Sequence, residues 1–325
     1  MWSRRAVLKS VGAAAGAAAF GRRSAAREAG TVSSVTPVNF DVPAGACDCH
    51  THVIGDATKF PFSPSRSYTP GSASVEELQA LHRSLHIARV VIVQPSVYGT
   101  DNRCTLDALR QLGSSARGIA VVDEQTPASD LYEMERAGIR GIRINLATAG
   151  QTDPDMARRR FDNAVQRIGS RKWHIQMYAT LPVITAIHSR VVSSPVPVVF
   201  DHFGGAQAAG GVGQEGFDGL VELVRTGHAH VKVSAPYRGS SQAPAFADMT
   251  PLAAALIRAN VERILWGTDW PHPDTRVSPG RSPMDVSPHL SIDDGLAINQ
   301  LAEWTPDPAV RKRILVDNPA ALYSF

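Results

Sequence analysis

The stretch Ala46-Cys-Asp-Cys-His-Thr-His-Val-Ile54 alternates apolar and polar residues at the period of a short strand. Residues two apart on a strand project from one face, so His50 and His52 aim both imidazoles into the same space. Farther along, strand-like segments repeatedly end in side chains that can do chemistry: Gln94 with Ser96, Arg143 with Asn145, Tyr178, His202, Ser234 with Arg238, and Asp269. Histidines and an aspartate gathered in this way could hold a divalent metal, since imidazole and carboxylate together suit zinc or manganese. They could equally form a metal-free hydrolytic site. Asp269 would then take a proton from water while the imidazoles and Tyr178 donate hydrogen bonds to a developing oxyanion. Spacing along the chain leaves both open.

The elements that must position these groups follow from periodicity. Apolar runs of strand length recur at Arg89–Gln94, Gly118–Val122, Gly141–Asn145, His174–Tyr178, Val196–Asp201, Val231–Ser234 and Ile264–Thr268. Amphipathic stretches of helical period lie between them, among them Val75–Leu85, Thr105–Leu112, Ala128–Arg136, Asp155–Ile168, Phe217–Arg225 and Pro251–Asn260. Near-continuous apolar strands imply burial on both faces and hence a parallel sheet. With the first stretch there are eight strand–helix units, which predict an α/β fold of the (β/α)8 TIM barrel type, a doubly wound open sheet being the alternative. In a barrel the strand ends meet at the C-terminal mouth, where active sites are built.

Composition narrows the function class. The chain has 325 residues, 43% of them hydrophobic and 19% charged, as expected of a globular enzyme. Its formal charge of +3 is misleading, because residues 1–26 carry five basic residues and no acidic one; the rest has 28 basic against 30 acidic residues, a net of −2. Nucleic acid is therefore not an expected partner. Ser3-Arg4-Arg5-Ala6-Val7-Leu8-Lys9 and the Ala/Gly-rich run to Phe20 resemble a twin-arginine export signal. The run is too short for a stable membrane anchor. The expected organisation is a signal at 1–26, a linker at 27–42 and a barrel at 43–325, with the twin-arginine export machinery as partner and a periplasmic or otherwise exported location. Cys47, Cys49 and Cys104 read as small core residues. Of the remaining histidines, His82 and His86 read as a solvated helical pair, and His174 opens a strand far from the mouth. His188, His228, His230 and His289 read as helix-end or loop residues, while His272 lies at the mouth beside Asp269.

The frame His50-x-His52, Asp201-His202-x-Gly204 and Gly267-Thr-Asp-Trp-Pro-His272 resembles the amidohydrolase superfamily, and more narrowly its lactonase branch of the 2-pyrone-4,6-dicarboxylate hydrolase type. Phe60–Pro70, Gly99-Thr-Asp-Asn102, Gly138–Asn145 and Val316-Asp-Asn-Pro319 carry the narrower likeness. The resemblance implies that Asp269 is the general base on water and that His50, His52 and His202 line the scissile carbonyl. It implies Tyr68, Tyr178 and Ser96 at the same mouth, and Arg143 and Arg238 as guanidinium groups on a substrate carboxylate. Tyr178 stands where metal-dependent relatives carry a histidine, which implies catalysis without a cofactor; the alternative is a zinc or manganese site of His50, His52, His202 and Asp269. Leu146–Thr152 lacks the second arginine of the pyrone hydrolases, so a less charged lactone is expected. The implied activity is hydrolysis of a carboxylated lactone or pyrone ester in aromatic-compound catabolism. A metal-dependent amidohydrolase or decarboxylase, a lactone isomerase and a lactone-binding protein are the rivals.

Overall fold

The computed structural model describes residues 35–276 and 280–325; the expected export signal at 1–26 lies outside them. Eight parallel strands run in chain order around one sheet, each paired to the next: β1 Cys47–Thr51, β2 Arg89–Val93, β3 Ala116–Ala120, β4 Ile139–Asn145, β5 His174–Tyr178, β6 Val198–Phe200, β7 Ala229–Ser234 and β8 Ile264–Gly267. No strand order reverses, which rules out the doubly wound alternative. Helices follow the strands: α1 Val75–Ser84, α2 Arg103–Leu112, α3 Ala128–Arg136, α4 Pro154–Ile168, α5 Leu181–Val192, α6 Phe217–Arg225, α7 Thr250–Ala259 and α8 Asp294–Trp304. Helix α1 starts at a capping box in which Ser74 and Glu77 satisfy each other's backbone N–H groups. Helix α5 is apolar on too many sides for its sequence to show a clean helical period.

The barrel is nearly closed, and its seam lies under the reactive residues. Asp269 N donates to His50 O and His52 N to Trp270 O, both at 2.8 Å. Gly267 permits this approach, since a Cβ there would stand 2.7 Å from His50 N. Behind the seam the buried Asp48 carboxylate accepts from Thr268 N at 3.0 Å, Thr268 Oγ1 at 2.6 Å and His50 N at 3.1 Å.

Strand β1 departs from simple alternation. Asp48 pairs with Val90 but Thr51 pairs with Ile92, so β1 carries one extra residue against β2. Such a bulge re-aims the side chains beyond it. Alternation alone would place Cys49 and His50 on opposite faces. With the bulge, Cys47 and Cys49 join the apolar lower lumen with Val91, Val199 and Tyr323, while His50 and His52 still face the mouth. All three cysteines are buried and free.

Three expectations change. The described part of the expected linker is fastened to the barrel: Val35, Val38, Phe40 and Val42 pack on the core, and Thr36 N and Oγ1 donate to Asp293, the cap of α8, at 3.0 and 2.6 Å. His82 is buried rather than solvated, its Nε2 lying 3.3 Å from Asp48, because the inner face of α1 packs on the strand that carries this carboxylate. His230 lies buried within β7 and His188 half-buried within α5, not at helix ends or in loops. Among the described residues no helix is long and apolar enough to cross a membrane.

Candidate active site

Asp269 leaves β8 in the left-handed region, with φ of +67°, which aspartate tolerates better than most residues. The turn swings its fully buried carboxylate over the top of the lumen. Oδ2 accepts from the Tyr237 hydroxyl at 2.6 Å and from Arg238 Nε at 2.7 Å. Oδ1 has no hydrogen bond but faces three imidazoles, with Nε2 of His52 at 3.3 Å, of His50 at 3.5 Å and of His202 at 3.8 Å. One oxygen is held and the other is left for chemistry.

Each ring is fixed from behind. His52 Nδ1 lies 2.8 Å from the Val93 carbonyl, which can only accept, so Nδ1 carries a proton, and with one proton on the ring Nε2 is left as the acceptor beside Asp269. His202 Nδ1 lies 2.9 Å from Ser234 Oγ. His50 rests on a buried charged floor. Lys232 Nζ donates to Gln176 Oε1 at 2.7 Å and meets His50 Nδ1 at 3.3 Å and Asp201 Oδ1 at 3.3 Å. Asp201 Oδ2 accepts from Gln176 Nε2 at 3.1 Å and from Arg143 Nη2 at 3.5 Å.

The charges set the protonation states. Burial opposes ionisation of Asp269, but the Arg238 guanidinium and the nearby His202 outweigh it and hold the carboxyl well below its usual range. The same holds for Asp201, where Lys232 and His50 overcome burial. Burial, aided by Lys232, pushes His50 down to about 3 against the pull of Asp201. His202 is likewise lowered, chiefly by burial, and burial raises the hydroxyls of Tyr237 and Tyr68. At neutral pH these two imidazoles are uncharged and the two carboxylates ionised.

The structure brings all nine expected site residues to one mouth. Tyr178 stands edge-on to His202, with ring centres 4.9 Å apart. Tyr68 is buried among the charges of Arg238, Arg143 and Asp269. Ser96 and Arg143 line a cavity of about 570 Å³ that continues between Gln94 and Asn145 toward Arg160 and Arg167 on α4. Arg238, expected on a substrate carboxylate, is committed through Nε to Asp269. Sequence reasoning missed Lys232, Gln176, Tyr237 and the role of Asp201. Lys232 had a signal: a lone lysine between Val231 and Val233 in a buried strand has nowhere to point but the lumen.

His50, His202 and Asp269 offer ligand atoms within 4.8 Å of one another, a spacing and donor set that could take a small divalent cation. The surroundings of His50 do not fit that use. A metal-bound imidazole ordinarily donates its far N–H to an acceptor, whereas the far nitrogen of His50 has the Lys232 ammonium in hydrogen-bonding geometry at 3.3 Å, and Asp201 Oδ1 beside it at 3.2 Å makes no hydrogen bond.

The amidohydrolase family model matches residues 47–325. The chain is 34% identical to 4-sulfomuconolactone hydrolase of Hydrogenophaga intermedia over 89% of this chain and 92% of that protein. It is also 34% identical to 2-pyrone-4,6-dicarboxylate hydrolase of Comamonas testosteroni, over 87% of this chain and 92% of that protein. A solved Pseudomonas putida structure named for the second activity superposes with a TM-score of 0.71 at 30% identity, covering 88% of this chain and 98% of its own.

Proposed function

The chain belongs to the amidohydrolase family, and on that premise we propose that it hydrolyses a carboxylated lactone or pyrone ester with water activated by Asp269 and without a metal. The observation that carries this reading is the division of the Asp269 carboxylate: Arg238 and Tyr237 hold Oδ2, while Oδ1 faces three imidazoles. A water on Oδ1 finds a second acceptor in the His52 Nε2 lone pair, so both of its protons are directed and its oxygen lone pair is aimed at the carbonyl carbon. As the C–O bond to water forms, one proton passes to Asp269 and the carbonyl oxygen becomes an oxyanion, stabilised by imidazole N–H and the Tyr178 hydroxyl at the mouth. The ring ester bond then breaks, and the proton held by Asp269 passes to the leaving oxygen. A carboxyl held as low as Asp269 is ionised at working pH and does not retain the proton, which suits transfer onward to a more basic alkoxide or enolate.

Arg143 is the group for a substrate carboxylate, since its guanidinium reaches the floor of the mouth and lines the adjoining cavity. Leu146–Thr152 offers no second cation. Loss of such a clamp weakens dicarboxylate binding by about 2–5 kcal/mol, so we propose a substrate with one carboxylate at this end. Lactones and pyrones with one and two carboxylates should be assayed with protein whose metal content is measured before and after chelation. The expected result is turnover that survives in metal-free protein and favours the monocarboxylate. Activity lost on chelation and restored by zinc or manganese would overturn the metal-free mechanism; no turnover of any lactone, with or without metal, would overturn the hydrolase reading.

A further inference from the structure

We infer that Lys232 is a positioning residue that fixes the proton of His50 on Nε2, making this imidazole a hydrogen-bond donor toward the substrate carbonyl and barring it from ligating a metal. The donor role rests on the lactone-hydrolase reading; the placement of the proton does not.

A lysine ammonium can donate and cannot accept. Lys232 Nζ has three N–H groups in a fully buried site and gives one to Gln176 Oε1 at 2.7 Å. The others face Asp201 Oδ1 at 3.3 Å and His50 Nδ1 at 3.3 Å, the second in hydrogen-bonding geometry. Gln176 agrees with this assignment: its Oε1 takes the lysine proton while its Nε2 donates to Asp201 Oδ2 at 3.1 Å. A proton on His50 Nδ1 would set two donors against each other. Asp201 Oδ1 lies 3.2 Å from the same nitrogen yet accepts no hydrogen bond there, so it does not claim that proton. A neutral ring has one N–H, which therefore sits on Nε2. That nitrogen is buried, lacks a hydrogen-bond partner and lies 3.5 Å from Asp269 Oδ1, where a substrate carbonyl would meet it. His50 and His52 are thus opposite tautomers on one strand face: Val93 makes His52 an acceptor and Lys232 makes His50 a donor.

Long-range 1H–15N spectra of the full chain labelled with 15N-histidine read the tautomer directly, with the His50 signals identified by their loss in His50→Gln. Wild-type protein is expected to show His50 protonated on Nε2; protonation on Nδ1 would overturn the inference whatever the protein hydrolyses. In Lys232→Met, Asp201 becomes the partner of Nδ1, so the proton should move there and zinc affinity, measured by competition with a chromophoric chelator, should rise at least about tenfold. On the lactone substrate kcat should fall about 100-fold, as for removal of one oxyanion donor, with KM nearly unchanged. If the unpaired Asp201 charge prevents folding of Lys232→Met, the wild-type spectrum alone decides the inference: protonation on Nε2 upholds it and protonation on Nδ1 overturns it. An unchanged tautomer and unchanged zinc affinity in the folded variant would overturn the proposal; those two shifts without any turnover would leave it standing and overturn only the hydrolase reading.

Discussion

The upper and lower halves of the barrel lumen each bury a histidine, and the two histidines have different chemistry. His174 in the lower half and His50 in the upper half are both sealed from solvent, and burial pushes each down to about 3. His174 packs against Tyr323 with ring centres 5.2 Å apart and bonds through neither nitrogen. Gly141 makes room for it, since a Cβ there would stand 2.7 Å from the His174 carbonyl oxygen. His50 instead sits between a Lys232–Asp201 pair and Asp269. Desolvation alone makes a histidine inert. It is the paired charges above and below the ring that give its protons a direction.

Substitutions in the two halves should separate accordingly. Asp269→Asn has the largest expected effect, a fall in kcat of about 1,000-fold in steady-state assays, as for loss of a general base, with far-UV circular dichroism unchanged. Retained turnover would erase the distinction between the halves. Arg143→Gln removes the carboxylate partner and should lower kcat/KM about 10- to 100-fold, mainly through KM, the value of a hydrogen bond to a charged group; an effect confined to kcat would assign Arg143 to the floor rather than to the substrate.

Acid stability tests the shared burial. A histidine whose folded value of about 3 lies below its ordinary 6.5 is protonated in the unfolded chain first, so stability falls as pH drops from 6.5 toward 3. Tm measured by differential scanning calorimetry should decline over that range. His174→Gln should make the decline shallower while leaving kcat at neutral pH unchanged; an unaltered slope would show that His174 does not titrate on unfolding. The smallest effect is expected for Tyr323→Phe, whose buried hydroxyl has no partner. Stability to urea should change by less than about 1 kcal/mol and turnover not at all, and a large loss of activity would mean that the lower half reaches the site.

Much of this was legible in the chain. Strand and helix periods carried the barrel because burial on both faces leaves apolar runs that a sequence shows plainly. Polar residues at successive strand ends carried His50, His52, Tyr178, His202 and Asp269, since that topology sends all such ends to one mouth. The bulge in β1 was not legible, because it is a mismatch between strands whose paired residues are 42 apart before it and 41 after it, and neither strand shows it alone. Burial of His82 was hidden for a similar reason: its partner Asp48 lies on another element.

By itself the sequence determined which side chains exist at which strand positions, and with them the barrel, the mouth and the set of groups able to activate water. Only the tertiary structure decided which group stands behind each ring and which oxygen of Asp269 is engaged. Lys232 and His50 are 182 residues apart, as Arg238 and Asp269 are 31. Periodicity is a local property that fixes the face of an element, whereas donor and acceptor roles depend on distances of about 3 Å between elements, which exist only once the barrel has closed.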